Sequence, residues 1–184
     1  NSSTMNLHEF LVSLSYVGKP AKAFNNTIQD TAAMIGLAAN AGIRGSKAGT
    51  ALRFALTALA SPTREARTLL RELHINVYDS TGAMKPLVEL IDDLSRSLEG
   101  AGEEMRNYTI ETLFGRRALP VMISLFEKGA DGIRLYSDQI KNAGQVTQTT
   151  AQKQMLAMKS QLERLRETWE ALRRHVVETF APDI

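Results

Sequence analysis

Between Leu37 and Leu59 the chain runs through Ala39-Asn40-Ala41-Gly42-Ile43-Arg44-Gly45-Ser46-Lys47-Ala48-Gly49-Thr50-Ala51-Leu52-Arg53, a glycine turn flanked by small residues at helical spacing. Upstream, Ile28, Ala32, Ile35 and Ala39 share one helix face. Downstream, Ala48, Ala51, Leu52, Ala55, Leu56 and Leu59 share another. Gly42 and Gly45 let the chain reverse at positive φ without strain. Ser46 is placed to cap the second helix. Small residues bring helix axes close, so Asn40, Gly42, Gly45, Gly49 and Arg53 mark a hinge in a tight helical hairpin. Gly36 costs its helix roughly 1 kcal/mol relative to Ala, which a close approach to another helix would explain.

The other periodicities also favour helix, and the fold class is mainly α. With 43% hydrophobic residues, the 184-residue chain can bury a core. Leu7, Phe10, Leu11 and Leu14 give an amphipathic first helix, ended by Gly18 and Pro20. Ser61-Pro62 reads as a capped helix start, with Ala66, Leu69, Leu70 and Leu73 as the buried stripe. Pro86 opens a helix carrying Leu87, Leu90, Ile91, Leu94 and Leu98. Helices are expected over about 103–113 and 116–126, with Phe114-Gly115 between them. Pro120 kinks the second or marks its first turn. Ile133, Tyr136 and Ile140 suggest one more.

One segment breaks the helical period. His74-Ile75-Asn76-Val77-Tyr78 alternates, Asp79-Ser80-Thr81-Gly82 is turn chemistry, and Ala83-Met84 can return as a partner. A small β-hairpin over about 74–84 is expected, pinned on the helices because two strands alone are marginal.

The style changes at 142. The polar run 142–154 reads as a linker after a compact core of 1–141, and a long C-terminal helix follows within 142–184. Met155, Met158, Leu162, Leu165, Trp169, Leu172 and Val176 continue a stripe begun by Ala151, spaced alternately four and three. Roughly three and a half heptads reach coiled-coil length. A parallel homodimer gains no opposite-charge pairs, because Lys159, Arg166 and Arg173 flank one side and Gln154, Gln161, Thr168 and His175 the other. Docking on the chain's own helices and self-association through this helix both stay open.

Charge is segregated although the net is only +2, so bulk nucleic-acid binding is not implied. From 41 to 71 lie Arg44, Lys47, Arg53, Arg64, Arg67 and Arg71 against Glu65. From 72 to 104 lie Glu72, Asp79, Glu89, Asp92, Asp93, Glu99, Glu103 and Glu104 against Lys85 and Arg96. The two runs could pair within the chain or between copies, or remain solvated faces worth little.

No catalytic, cofactor-binding or metal-binding residue emerges. The absence of Cys removes thiol and zinc-thiolate chemistry. His8, His74 and His175 have no ligand spacing. Gly45-Ser46-Lys47 lacks the order and preceding strand of a phosphate loop. Asp92-Asp93 and Glu103-Glu104 are helix neighbours that point apart. No Gly-x-Ser-x-Gly elbow and no stretch of roughly 18–20 apolar residues occurs. The Asn1-Ser2-Ser3 start suggests a piece of a longer polypeptide.

An ordered series of motifs resembles the core region of phage tail tape measure proteins, the family related to that of lactococcal phage TP901. Leu37–Arg53 carries its Ala-Gly core and Leu59-Ala60-Ser61-Pro62-Thr63 its helix start. The run 73–82 is similar to its hairpin, Lys85–Leu94 to the helix after it, and Phe114-Gly115 to its Phe-Gly step. His74 departs from the family's usual Gly. The resemblance implies a structural, non-enzymatic protein that spans the tail-tube lumen, sets tail length and templates tube assembly. It implies tail-tube protein, tail assembly chaperones and the distal tail hub as partners, and location in the virion tail lumen and, during assembly, the host cytoplasm. A generic helical interaction module (an effector or adaptor with a coiled-coil arm) and a cell-wall hydrolase fragment are the alternatives.

Overall fold

The computed structural model describes residues 7–142, and the structural statements below concern those residues. They form α1 (Leu7–Ala23), α2 (Ile28–Asn40), α3 (Gly45–Ala60), α4 (Arg64–Glu72), α5 (Leu87–Ser97) and α6 (Glu103–Phe114). A further helix, α7, runs over 119–142, to the limit of the described residues. The expected stripes supply the core. Leu52, Leu56 and Leu59 of α3 are buried with Leu87, Leu90, Ile91 and Leu94 of α5. Leu113 and Phe114 of α6 and Met122 of α7 join them.

The first helix does not end where its breakers suggest. α1 continues through Gly18 and Pro20 to Ala23. Pro20 removes the N–H that would bond the Tyr16 carbonyl. Tyr16 is exposed, so water can take that carbonyl, while Val17 and Ala21 stay buried and hold the last turn in place. Likewise α4 starts after Thr63, whose hydroxyl accepts the Ala66 N–H at 3.1 Å, rather than at Ser61-Pro62. Ser61 closes α3 instead. Pro86 precedes α5 as expected.

The two short helices expected around 116–140 are one. Pro120 lies in its first turn, and helical hydrogen bonding carries through Gly129, although that residue takes φ +67°. Such a φ departs from regular helix, and glycine adopts it without strain.

The expected β-hairpin at 74–84 is not formed, and the described residues contain no strand. What remains is one isolated antiparallel bridge between Tyr78 and Met84, flanked by Asp79 N–H to Ala83 O (2.8 Å) and Lys85 N–H to Val77 O (2.9 Å). The ladder cannot lengthen. On one side the Ile75 N–H is already given to Leu70 O at 2.8 Å, finishing α4. On the other, Pro86 has no N–H and leads into α5. The expected coiled-coil heptads at Met155, Met158, Leu162, Leu165, Trp169, Leu172 and Val176 lie outside the described residues.

Candidate functional site

The glycine joint is a Schellman turn followed by an uncapped helix. Ile43 N–H bonds Ala38 O at 2.9 Å and Gly42 N–H bonds Ala39 O at 3.0 Å. Gly42 supplies the required left-handed residue at φ +83°. Gly45 repeats that backbone at φ +56° and starts α3 directly. The position before it is Arg44, with no side-chain cap, so Ser46 is inside the first turn and does not cap the helix.

Close helix contact involves a different pair from the one the sequence suggests. α3 lies mainly against α1, and less against α2. A Cβ built on Gly49 would overlap the Ser13 carbonyl oxygen, with Ser13 Cα at 2.9 Å. The fully buried Ser13 hydroxyl reaches Gly45 O at 2.7 Å and Glu9 O at 3.0 Å. Gly45 and Gly49, one turn apart, thus form the face on which α1 rests. Gly36 of α2 is covered by a side chain, not a helix backbone: a Cβ there would come within 2.7 Å of Tyr136 Cε1.

The other motif residues have separate places. Asn40 is exposed at the end of α2. Arg53 is exposed on α3, its guanidinium 5.9 Å from the Tyr16 ring centroid and 5.6 Å from that of Phe54. Phe114 is buried edge-on against Phe126, centroids 6.1 Å apart. Gly115 turns the chain toward α7 at φ +80°.

Sequence reasoning missed Asn25 and Asn26. Asn25 sits at φ +55° after α1, and its amide donates to Met84 O at 3.0 Å. Asn26 is buried. Its Oδ1 accepts the Leu87 N–H at 2.9 Å, and its Nδ2 donates to Phe24 O at 2.8 Å. The α1–α2 turn thereby fixes the start of α5. Adjacent asparagines before the Thr27 cap were the available signal, but their partners lie 59 and 61 positions away.

Two members of the acidic run, Asp92 and Asp93, are paired within the fold. Lys85 meets Asp93 at 2.9 Å, and Asp92 meets Arg96 at 2.6 Å and Arg134 at 3.4 Å. The Arg96 hydrogen bond, foremost, holds the Asp92 carboxyl below the usual carboxylate range. Asp79 is lowered chiefly by the Thr81 hydroxyl, which donates to Oδ1 at 2.6 Å. These are turn and surface pairs. Among the described residues no group of three or more His, Asp or Glu could hold a metal ion, and no helix is long and apolar enough to cross a membrane. Two of the surface clefts among the described residues bear on these side chains. One lies beside the joint, between Lys47, Thr50, Arg117 and Pro120. The other lies along α4, rimmed by Arg64, Arg67 and Arg71.

The chain is similar to known phage proteins. A family model described as phage-related minor tail protein matches residues 1–115. The tape measure protein of Pneumococcus phage Dp-1 is 31% identical over 172 residues, 94% of this chain and 15% of that protein. The probable tape measure protein of Escherichia phage P2 is 32% identical over 121 residues, 65% of this chain and again 15% of the relative. The chain therefore spans about 15% of the length of these relatives. No solved structure matches.

Proposed function

This chain belongs to the phage-related minor tail protein family, and from that premise we propose that it is a segment of a tail tape measure protein. In this reading the whole protein lies in the tail-tube lumen, sets tail length and templates polymerisation of the tube. Its role is structural rather than enzymatic. Its partners are the tail-tube protein, the tail assembly chaperones and the distal hub, met in the host cytoplasm during assembly and retained in the virion tail. What carries the reading is the alignment with the Dp-1 tape measure protein over 94% of the chain.

The geometry adds a mechanism. A helix advances about 1.5 Å per residue, so a tape gains length only where helices run extended. Helices α1 to α7 fold back through caps and glycine turns, so in this reading 7–141 is a packet that adds little length. On the sequence expectation of a long helix within 142–184, with its seam from Met155 to Val176, we propose that this segment supplies the length, docked on the chain's own helices or self-associated.

Tail length tests this. In the phage encoding this chain, four heptads inserted after residue 141 should lengthen tails by about 42 Å at the helical rise. Deleting 7–141 should shorten them far less than the roughly 200 Å those residues would span as one helix. Tails of unchanged length after the insertion would count against a measuring role. A full 200 Å loss would count against the packet.

A further inference from the structure

We propose that the cleft along α4 receives the amino-terminal ridge of α6 from a second copy of this chain. The inference rests on surface chemistry and is independent of the tail reading. The cleft, of about 650 Å³, has an apolar floor of Leu59, Leu70, Ile75 and Val77. Arg64, Arg67 and Arg71 stand exposed along its rim. They span about 10 Å of α4 at the helical rise. None of the ion pairs that hold Asp92 and Asp93 involves them.

The ridge is complementary. In α6, Thr109, Ile110, Leu113 and Phe114 are buried, so its carboxyl-terminal half is anchored in the core. In the half before them Glu103 and Glu104 are exposed. Met105 and Tyr108 are 54% and 59% exposed, enough to leave apolar surface in water. Tyr108 stands i+3 from Met105 and i+4 from Glu104, so it neighbours each of them on the helix surface. The Glu104 carboxylate would meet the arginine rim while Met105 and Tyr108 cover the cleft floor. A polynucleotide would satisfy the rim and leave that floor wet, and the chain's net charge is only +2. Because the two faces differ, the contact is head-to-tail and propagates as a chain or ring.

Sedimentation of the 184-residue chain tests the contact. The weight-average mass should rise with concentration up to about 1 mM. It should fall when salt is raised from about 20 mM to about 500 mM, which shortens the screening length from roughly 20 Å to about 4 Å. Each exposed pair is worth a factor of roughly 1.4 to 5 in affinity. Charge reversal in Arg67→Glu/Arg71→Glu, or in Glu104→Lys, should therefore weaken association by a factor of at least about 2. An equimolar mixture of the two variants should associate again, because each then offers the face the other needs. Should charge reversal disturb α4, Tyr108→Ser tests the same contact from the ridge. A wild-type chain that stays monomeric would overturn the proposal. So would association that neither reversal weakens, a mixture that stays monomeric, or binding of a DNA oligonucleotide in place of self-association.

Discussion

Asn26 Oδ1 accepts the backbone N–H of Leu87 at 2.9 Å across 61 positions of sequence, inside the core. The same side chain donates to Phe24 O, closing the turn after α1. One amide thus serves as cap for a distant helix and clasp for its own loop. A helix leaves its first N–H groups without intrahelical partners. Pro86, immediately before α5, offers no side-chain cap. Asn26 fills that gap from another part of the chain.

Asn26→Ala should therefore cost about 2–3 kcal/mol, since it orphans a buried N–H as well as losing bonds. Urea unfolding of the chain, followed by circular dichroism, measures it. A loss under about 0.5 kcal/mol, the range of an ordinary surface substitution, would show that water replaces the amide.

Three helices end with the same device but use different residues. Asn25, Gly42 and His74 each take positive φ one position past the cap. Gly and Asn are common there, and His is an expensive choice. At α4 the Ile75 N–H to Leu70 O and His74 N–H to Arg71 O bonds enforce the left-handed residue regardless. His74 is exposed, with no packing to lose. His74→Gly should stabilise by about 0.5–1 kcal/mol, and His74→Val should destabilise by at least about 1 kcal/mol. Thermal melts of both variants decide. A destabilised His74→Gly would mean that the side chain makes a contact worth more than the backbone strain.

The legible parts of the fold were those that periodicity controls. Leu87, Leu90, Ile91 and Leu94 read as one stripe and are buried as one. The glycine turn at Gly42 read correctly because its requirement, a positive φ, is local. Where a partner elsewhere in the chain decides, the sequence misleads. Gly49 signals a close approach but not that α1, through Ser13, makes it. Alternation at 74–78 signals strand, yet the Ile75 N–H is claimed by α4. Pro20 signals a stop, yet the burial of Val17 and Ala21 outweighs one lost hydrogen bond. The partners of Asn25 and Asn26 follow no sequence spacing.

Acid should loosen the turn after α4 as pH falls through the lowered pKa of Asp79. Asp79 Oδ1 accepts from the Thr81 hydroxyl, the Thr81 N–H and the Ala83 N–H, at 2.6, 2.8 and 3.0 Å. Those bonds favour the carboxylate, so the folded carboxyl titrates below its unfolded value. The sign follows: the unfolded chain takes up the proton first as pH falls. This contribution to stability is complete above the unfolded pKa and is lost as pH drops through the folded one. Carboxyl NMR titration should place Asp79 below the ordinary range, and Thr81→Ala should move it upward. An Asp79 that titrates normally in the wild-type chain would remove the turn from any account of acid sensitivity.

The helical glycines Gly36 and Gly49 should respond differently to alanine. In a helix interior Ala is favoured over Gly by about 1 kcal/mol, so a harmless substitution would stabilise. At Gly49 the new methyl would meet backbone, the Ser13 carbonyl, which cannot turn aside without moving α1. Overpacking of that kind costs about 1–3 kcal/mol and sometimes more, and the Ser13 to Gly45 hydrogen bond would stretch as well. Gly49→Ala should be destabilised by about 1–3 kcal/mol net. At Gly36 the obstacle is the Tyr136 ring edge, and that residue is only half-buried on α7. The ring can rotate outward, so Gly36→Ala should fall within about 1 kcal/mol of wild type, the strain offset by propensity. Tyr136→Ala in the Gly36→Ala background should then improve on Tyr136→Ala alone, because the methyl refills the space the ring left. Denaturant midpoints across the four chains test the contrast. Equal losses at Gly36 and Gly49 would mean that the joint yields as easily as a side chain does.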